Sequence, residues 1–246
     1  MTDEANDRAA RLRELHRPGD PLILPNVWDA ASARVVQEAG FPALATASAA
    51  ISAMLGYPDG EGGPVDEMFA AAARVIRVAE VPVTVDAEAG YGLPPGELVE
   101  RLLAMGAAGC NLEDSRADGL VDPEEQAAYL AEVRAAAGDA LVINARADTF
   151  IRQAPDPLEG ALARGRRYLE AGADCVYPIM APAETVKALA EGLPGPVNVN
   201  QLPGTHLDEL AAAGAARVSY GPFPHMHVME VLKEFAGRLR AGEDPV

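Results

Sequence analysis

Short apolar runs alternate with longer helical runs along almost the whole chain of 246 residues. The apolar runs are rich in β-branched residues, and the helical runs are rich in Ala, Glu, Arg and Leu. We predict eight strands, at 21–25, 42–46, 81–87, 107–113, 140–147, 173–179, 196–200 and 215–221. Helices are predicted near 29–39, 65–79, 95–105, 123–137, 157–171, 182–191, 206–213 and 225–240. This alternation is typical of parallel strands joined by helical crossovers.

Glycines mark the ends of several helical runs just before the next strand, at Gly40, Gly106, Gly172 and Gly214. Such a glycine suits the position after a helix C-terminus. The repeated unit and a chain close to the roughly 250 residues of a (β/α)8 barrel together predict one TIM-type barrel domain over 1–246. A doubly wound sheet is the competing fold, but PNVWDA after the first strand lacks the G-x-G-x-x-G fingerprint.

The charge and hydropathy pattern narrows the classes of partner. Lys and Arg number 20 against 37 Asp and Glu, so the net charge is −17, which disfavours nucleic-acid binding. No apolar run approaches the roughly 20 residues of a membrane helix, and the charged start has no signal-peptide character. Cys110 and Cys175 lie in apolar segments, which supports neither a disulfide framework nor a zinc site. We therefore expect a cytoplasmic protein that binds small molecules.

Acidic side chains stand at the predicted strand ends, where a barrel of this type carries its chemistry. Asp86 and Glu88 are two residues apart, so their side chains are expected to point the same way from one strand. Carboxylates so close are costly unless a cation lies between them. With Glu113 on the next strand and Asp59 in an earlier loop, they predict an oxygen-rich site for Mg²⁺ or Mn²⁺. The alternative, that single acids pair with arginine or cap a helix, stays open.

A single arginine accompanies these acids. Arg146 lies in the run NARAD after the fifth strand, where its planar fork could hold a substrate carboxylate through two hydrogen bonds. A plain ion pair with Glu113 or Glu88 is the alternative. The segment 46–60 is small and poor in charge, which lets backbone N–H groups approach an anion. The histidines show no metal-ligand spacing, and no Ser-His or Cys-His triad of familiar spacing can be assembled.

These residues lie in segments that resemble the isocitrate lyase/phosphoenolpyruvate mutase superfamily. The similar segments are PNVWDAASARVVQEAGFPALATAS (25–48), ISAMLGYPD (51–59), VDAEAGYG (85–92), NLED (111–114), NARADTF (144–150) and RVSYGP (217–222). They span most of the chain in the correct order. The combination of LGYPD, DAEAGYG and LED is more specific than any of the three alone.

The resemblance implies a Mg²⁺-dependent lyase that stabilises the enolate of a small 2-oxo acid, in the manner of an oxaloacetate decarboxylase or hydrolase or a substituted-malate lyase. It implies the following roles: Asp59, Asp86, Glu88 and Glu113 in the metal shell; Arg146, Glu113 and Asp59 in catalysis; and Trp28, Ala47, Ser48, Ala49, Asp86, Arg146 and Asn200 at the substrate. Family members commonly form tetramers that exchange the C-terminal helix, so the run at 227–242 predicts a homo-oligomer, a tetramer or a dimer. Ordinary packing of that helix on its own barrel is the alternative.

The chain departs from the family after the fourth strand. The lyases carry a K-[KR]-C-G-H loop whose cysteine is the acid/base, whereas this chain reads LEDSRADGLVDPEEQ. Ser115, Arg116, Asp118 and Tyr177 are the nominees for the missing acid. Two other functions therefore stay open: a non-catalytic 2-oxo acid-binding protein, and a mutase or hydrolase of a phosphonate pathway.

Overall fold

The computed structural model describes residues 2–244, so Met1 and residues 245–246 of the predicted domain lie outside the described residues. The helices are α1 (Thr2–Glu14), α2 (Ala30–Glu38), α3 (Ser48–Leu55), α4 (Val65–Val78), α5 (Pro95–Met105), α6 (Pro123–Ala137), α7 (Pro157–Glu170), α8 (Val186–Gly192), α9 (Leu207–Ala212) and α10 (Phe223–Arg240), with a 3₁₀-helix at Ala183–Thr185. The strands are β1 (Leu22–Leu24), β2 (Asn26–Val27), β3 (Leu44–Thr46), β4 (Val83–Asp86), β5 (Gly109–Glu113), β6 (Ser115–Arg116), β7 (Gly119–Leu120), β8 (Val142–Ala147), β9 (Cys175–Pro178), β10 (Asn198–Asn200) and β11 (Arg217–Ser219).

The parallel strands of the described chain follow one another in a ring. One sheet has the order β2-β3-β4-β5-β8-β9 and the other the order β1-β11-β10. Pro25 alone separates β1 from β2, and a parallel bridge between Val176 and Val197 links β9 to the segment that enters β10. The predicted (β/α)8 architecture is confirmed, with strand ends that all face one rim.

Local elements differ from the prediction where they are short. Pro25 has no N–H to donate, and the first predicted strand is accordingly split around it. Helix α3 was not predicted, because its sequence SAAISAML is only eight residues long and rich in small residues. The antiparallel β6–β7 hairpin was also missed, since two residues per strand leave no alternation to detect.

Apolar helix faces hold the strand ends in place. Leu102 of α5 and Leu130 of α6 are fully buried in one cluster with Ile143 of β8. Each buried leucine of this kind contributes roughly 1.5–3 kcal/mol. Within residues 2–244, no helix combines the length and the apolarity that crossing a bilayer requires.

His16, just after α1, should make the stability of the fold dependent on pH. Its Nδ1 lies 2.8 Å from the Leu12 carbonyl oxygen, and burial followed by the charge of Arg217 lowers the pKa of His16 from 6.5 to about 4. Between these two pH values the unfolded chain binds a proton that the folded chain does not. The stabilisation is complete above pH 6.5, and about 3 kcal/mol of unfolding free energy is expected to be lost as the pH falls to about 4.

Urea unfolding across this pH range measures the effect. His16→Asn retains a donor for the Leu12 carbonyl but cannot titrate, so its unfolding free energy should fall less steeply with acid than that of the unaltered protein. Equal slopes for the two proteins would contradict the prediction.

Candidate active site

Asp86 is held at the end of β4 by the start of α3. The Ser48 backbone N and Oγ both donate to Asp86 Oδ2, at 3.0 and 2.8 Å, and the Asp86 backbone N donates to Thr46 Oγ1 at 2.8 Å. The described residues offer no hydrogen-bond partner to Oδ1. The N-terminus of α3 therefore adjoins a half-buried carboxylate, to which its first backbone N–H group donates.

Glu88 does not continue the alternation of β4, so the prediction that Asp86 and Glu88 lie on one strand is wrong. The strand ends at Asp86, and Glu88 has a φ of +49°, in the left-handed region that is costly for a residue with a side chain. Its carboxylate accepts hydrogen bonds from the Tyr91 hydroxyl at 2.6 Å and from the Glu61 backbone N. The loops after α3 and β4 are thereby tied to each other.

Arg146 lies between two carboxylates. Its Nε and Nη2 donate to Asp148 at 2.6 and 2.8 Å, and Nη2 also pairs with Glu113 Oε2. The Asp148 backbone N donates in turn to Asp114 Oδ1 at 2.8 Å. The ion pair between Arg146 and Glu113, which the sequence left open as an alternative, is present. The Nη1 of Arg146 has no partner among the described residues and stays available beside the cavities described next.

Two cavities meet at these residues. The strand-end cavity, of about 240 Å³, is lined by Ala47, Ser48, Ala49, Asp86, Tyr177 and Asn200 among others. The loop cavity, of about 250 Å³, is lined by Glu88, Glu113, Ser115, Asp148 and Arg152 among others. Ser48, Asp59 and Arg146 line both. The structure thus brings together every predicted site residue except Trp28.

Trp28 lies elsewhere because its ring packs edge-on against His225 of α10, with 5.0 Å between ring centroids. It lines neither cavity. Nearby, Asp29 caps α2 by accepting from the Ser32 backbone N at 2.7 Å, and the capping turn directs the chain away from the strand ends.

Burial raises the pKa values of three acids at the site. Burial, followed by the negative charge of Asp86, raises the pKa of Asp59. Burial also raises the pKa of Glu88 to about 7, although the Tyr91 hydroxyl acts in the opposite direction. The pKa of Glu113 is raised by burial against the opposing charge of Arg146. Acids crowded in this way favour an added cation.

The side chains fit a hard divalent cation held largely through water. Asp59, Asp86, Glu88 and Glu113 offer only carboxylate oxygens, which suit Mg²⁺ or Mn²⁺. In the described chain, no three His, Cys, Asp or Glu side chains are grouped so as to hold a metal directly. Mg²⁺ usually takes one or two carboxylates and keeps several waters. Asp86 as a direct ligand, with the others acting through water, matches this arrangement.

Asn111 is a cavity residue that the predicted site omitted. Its Oδ1 accepts from Asn144 Nδ2 at 2.8 Å and from Arg217 Nη2 at 3.3 Å, and the residue lines the strand-end cavity. Because both donors approach Oδ1, its Nδ2 is left as a donor for a ligand. Its position at the end of the fourth predicted strand was the available signal.

The four nominees for the missing acid differ in their surroundings. Ser115 is buried and its Oγ donates to Asp148, whereas Tyr177 is buried in the wall of the strand-end cavity and has a pKa raised by burial. Arg116 and Asp118 belong to the β6–β7 hairpin, and Arg116 pairs with Glu125 at 3.2 Å. The hairpin lines a third space of about 460 Å³, the hairpin cavity, which shares Asp59, Glu113, Ser115 and Arg152 with the loop cavity.

Known proteins resemble this chain over most of its length. The family model of phosphoenolpyruvate phosphomutase matches residues 12–240. A 2-methylisocitrate lyase of Bacillus subtilis (strain 168) is 30% identical over 86% of this chain and 75% of its own. An uncharacterized protein of Mycobacterium tuberculosis (strain ATCC 25618 / H37Rv) is 36% identical, over 94% of this chain and 89% of its own. The crystal structure of a Burkholderia cenocepacia J2315 protein with a proposed phosphonomutase activity has a TM-score of 0.89 and 42% identity, and covers 94% of this chain and 99% of its own.

Proposed function

Because the chain belongs to the phosphoenolpyruvate phosphomutase family, within the isocitrate lyase/phosphoenolpyruvate mutase superfamily, we propose that it is a Mg²⁺-dependent carbon–carbon lyase. Its substrate would be a small 2-oxo acid, or a 2-hydroxy di- or tricarboxylic acid that yields one. The observation that carries the proposal is the meeting of Asp86, Arg146 and the α3 N-terminus at one cavity. Asp86 is suited to binding a cation, and Arg146 and the α3 N-terminus are suited to binding a carboxylate.

In this proposal Arg146 binds and orients the carboxylate of the 2-oxo acid. Ala47, Ser48 and Ala49 line the cavity where the 2-oxo oxygen would lie, and the Ala49 N–H, unlike those of Ala47 and Ser48, has no partner in the described chain and is free to stabilise the negative charge of an enolate. Asp59, Asp86, Glu88 and Glu113 would hold Mg²⁺, with Asp86 as the direct ligand. When bound, Mg²⁺ would supply Lewis-acid polarisation of the same oxygen. Asn200 and the amide of Asn111 complete the polar wall.

A coupled assay for pyruvate and glyoxylate release tests the proposal. The panel contains oxaloacetate, isocitrate, methylisocitrate and substituted malates, each with Mg²⁺. Turnover that EDTA abolishes and Mg²⁺ restores is expected. Calorimetric binding of 2-oxo acids without turnover of any substrate would instead favour the non-catalytic binding protein.

A phosphonate substrate is the second candidate. The Burkholderia protein with proposed phosphonomutase activity is 42% identical to this chain, and Arg152 adds a second cation to the loop cavity, beyond those at the predicted site. Conversion of 3-phosphonopyruvate in the same assay, with no turnover of the carboxylic acids, would support this candidate over the carbon–carbon lyase.

We also infer a homo-oligomer, a tetramer or a dimer, that uses α10. Pro222 and Phe223 line the strand-end cavity, but all residues from Met226 to Arg240 are exposed. The exposed apolar side chains of this helix are Met226, Val228, Met229, Val231, Leu232, Phe235 and Leu239. Beyond its first turn, α10 therefore does not pack on its own barrel, and exchange of the helix between copies would cover its apolar face.

Leu232→Glu should weaken this assembly. Burial of Leu232 would contribute about 2 kcal/mol per copy, and a buried charge adds a further cost. Light scattering of the variant is expected to show a smaller species, or one that dissociates on dilution. Lys233→Glu, which places the same charge one position away on the polar face, is the control. A monomeric unaltered protein would contradict the inference.

A cytoplasmic location is part of the same proposal. Cys110 and Cys175 are both free and buried. Reduced thiols of this kind are usual in reducing compartments.

A further inference from the structure

Arg152, on the turn that follows β8, places a second guanidinium in the lining of the loop cavity. The Arg152 backbone N donates to the Asp148 carbonyl oxygen at 2.9 Å, which closes one helical turn directly after the strand. Arg152 lines both the loop cavity and the hairpin cavity. The four residues from Asp148 to Arg152 rise by about 6 Å in such a turn, so the Arg152 backbone lies beyond the Arg146–Asp148 pair along the chain.

The two arginines differ in their partners. Arg146 is bound by both Glu113 and Asp148. Arg152 donates from Nη2 to the Arg116 carbonyl oxygen at 2.7 Å, and within residues 2–244 it forms no ion pair. The β6–β7 hairpin thus fixes one edge of the guanidinium without neutralising it. Asp59, Glu113 and Asp118 line the hairpin cavity with Arg152, but within residues 2–244 none of them forms an ion pair with it.

A guanidinium in this state is suited to an oxyanion. Its planar set of donors matches the oxygen pairs of carboxylates and phosphonates, and charge-assisted bonds of this type are the stronger ones in proteins. Arg146 and Arg152 both line the loop cavity. A ligand whose first carboxylate lies at Arg146 would reach Arg152 across this cavity.

We propose that Arg152 is the specificity-determining residue that binds the second anionic group, a carboxylate or a phosphonate, of the 2-oxo or 2-hydroxy acid substrate. This inference rests on the proposed function, because it takes the 2-oxo acid end to lie at Arg146. It assigns recognition of that second anionic group to one residue outside the predicted site. It also gives the hairpin a role, which is to hold Arg152 through the Arg116 carbonyl.

The test compares three ligands that share the 2-oxo acid end: pyruvate, oxaloacetate and 3-phosphonopyruvate. Calorimetric titration with Mg²⁺ gives each Kd, and an assay of the same solution shows how much oxaloacetate is intact. The unaltered protein should bind at least one of the dianions about tenfold or more tightly than pyruvate. Which dianion is preferred distinguishes a carboxylate from a phosphonate. Arg152→Gln should abolish the preference and leave the pyruvate Kd within about twofold.

Arg166→Gln is the matched control, since Arg166 is also exposed and also donates to a backbone carbonyl oxygen, that of Gly192 at 3.0 Å. It should change no Kd. If Arg152 only braced the hairpin, Arg152→Gln would weaken pyruvate and the dianions equally, and that result overturns the inference. An unaltered protein that binds pyruvate without preferring either dianion overturns it too. Failure of all three ligands to bind would instead reject the proposed function on which it rests.

Discussion

Replacing Asp86 with asparagine is expected to remove both Mg²⁺ binding and turnover. The side chain keeps its shape and one oxygen for the two Ser48 hydrogen bonds, but it loses the negative charge and the oxygen that has no protein partner. Loss of a residue that only hydrogen-bonds to a metal ligand typically lowers metal affinity about 10- to 100-fold. Loss of a direct ligand should therefore lower the Mg²⁺ affinity more than about 100-fold. The Lewis-acid contribution of several kcal/mol then disappears, and kcat should fall on the order of 1,000-fold.

Titration calorimetry with Mg²⁺ and the product-release assay measure the two losses. The free energy of unfolding should be unchanged or higher in the metal-free protein, because Asp86 no longer repels the nearby Asp59. Asp29→Asn is the matched control, since it makes the same substitution at the same rim in a residue that caps α2, and asparagine caps a helix equally well. Full turnover by Asp86→Asn would refute the metal-dependent lyase.

Arg146→Met should have the largest effect on stability. The substitution leaves the carboxylates of Glu113 and Asp148 buried without their cation. Breaking a buried pair in this way costs about 3–5 kcal/mol of unfolding free energy. Urea unfolding at neutral pH measures the loss, and adding Asp148→Asn to the variant should restore part of it because one unpaired charge is removed.

Arg146→Lys separates the structural role from the proposed substrate role. Lysine keeps the charge for the two carboxylates but lacks the separate Nη1 donors that Arg146 has left for a third. We expect kcat/KM to fall about 100-fold while the unfolding free energy falls less than in Arg146→Met. Arg164→Lys is the control, because Arg164 pairs with buried Asp114 at 2.9 Å and lines neither cavity. If Arg146→Lys retained full activity, Arg146 would be only an ion-pair residue.

The alternation of strands and helices was sufficient to predict the barrel, because the period of apolar residues and the glycines after helices are local properties of the chain. The family resemblance was confirmed for the same reason, since motifs such as LGYPD and NARAD are contiguous. The residues predicted at the site were found at one rim because every parallel strand ends there. Their roles in metal binding and catalysis remain predictions.

Other features depended on contacts between residues far apart in sequence. Trp28 stands in a family-like motif, yet it packs on His225 of α10, nearly 200 positions away. The left-handed conformation of Glu88 is supported by its bonds to Tyr91 and to the Glu61 backbone in a separate loop. The exposure of α10 could not be predicted either, since its apolar pattern fits packing on its own barrel equally well.

The sequence by itself determined the fold, the family and the set of acids and arginines at the strand ends, because these follow from local periodicity and from where parallel strands end. Only the tertiary structure decided which of these arginines form ion pairs with acids. Arg146 is shared between Glu113 and Asp148, whereas Arg152 has a backbone carbonyl and no acid as its partner. The physical reason is that Coulomb energy and desolvation depend on distances between side chains, and those distances are set by loops whose conformation no local pattern specifies.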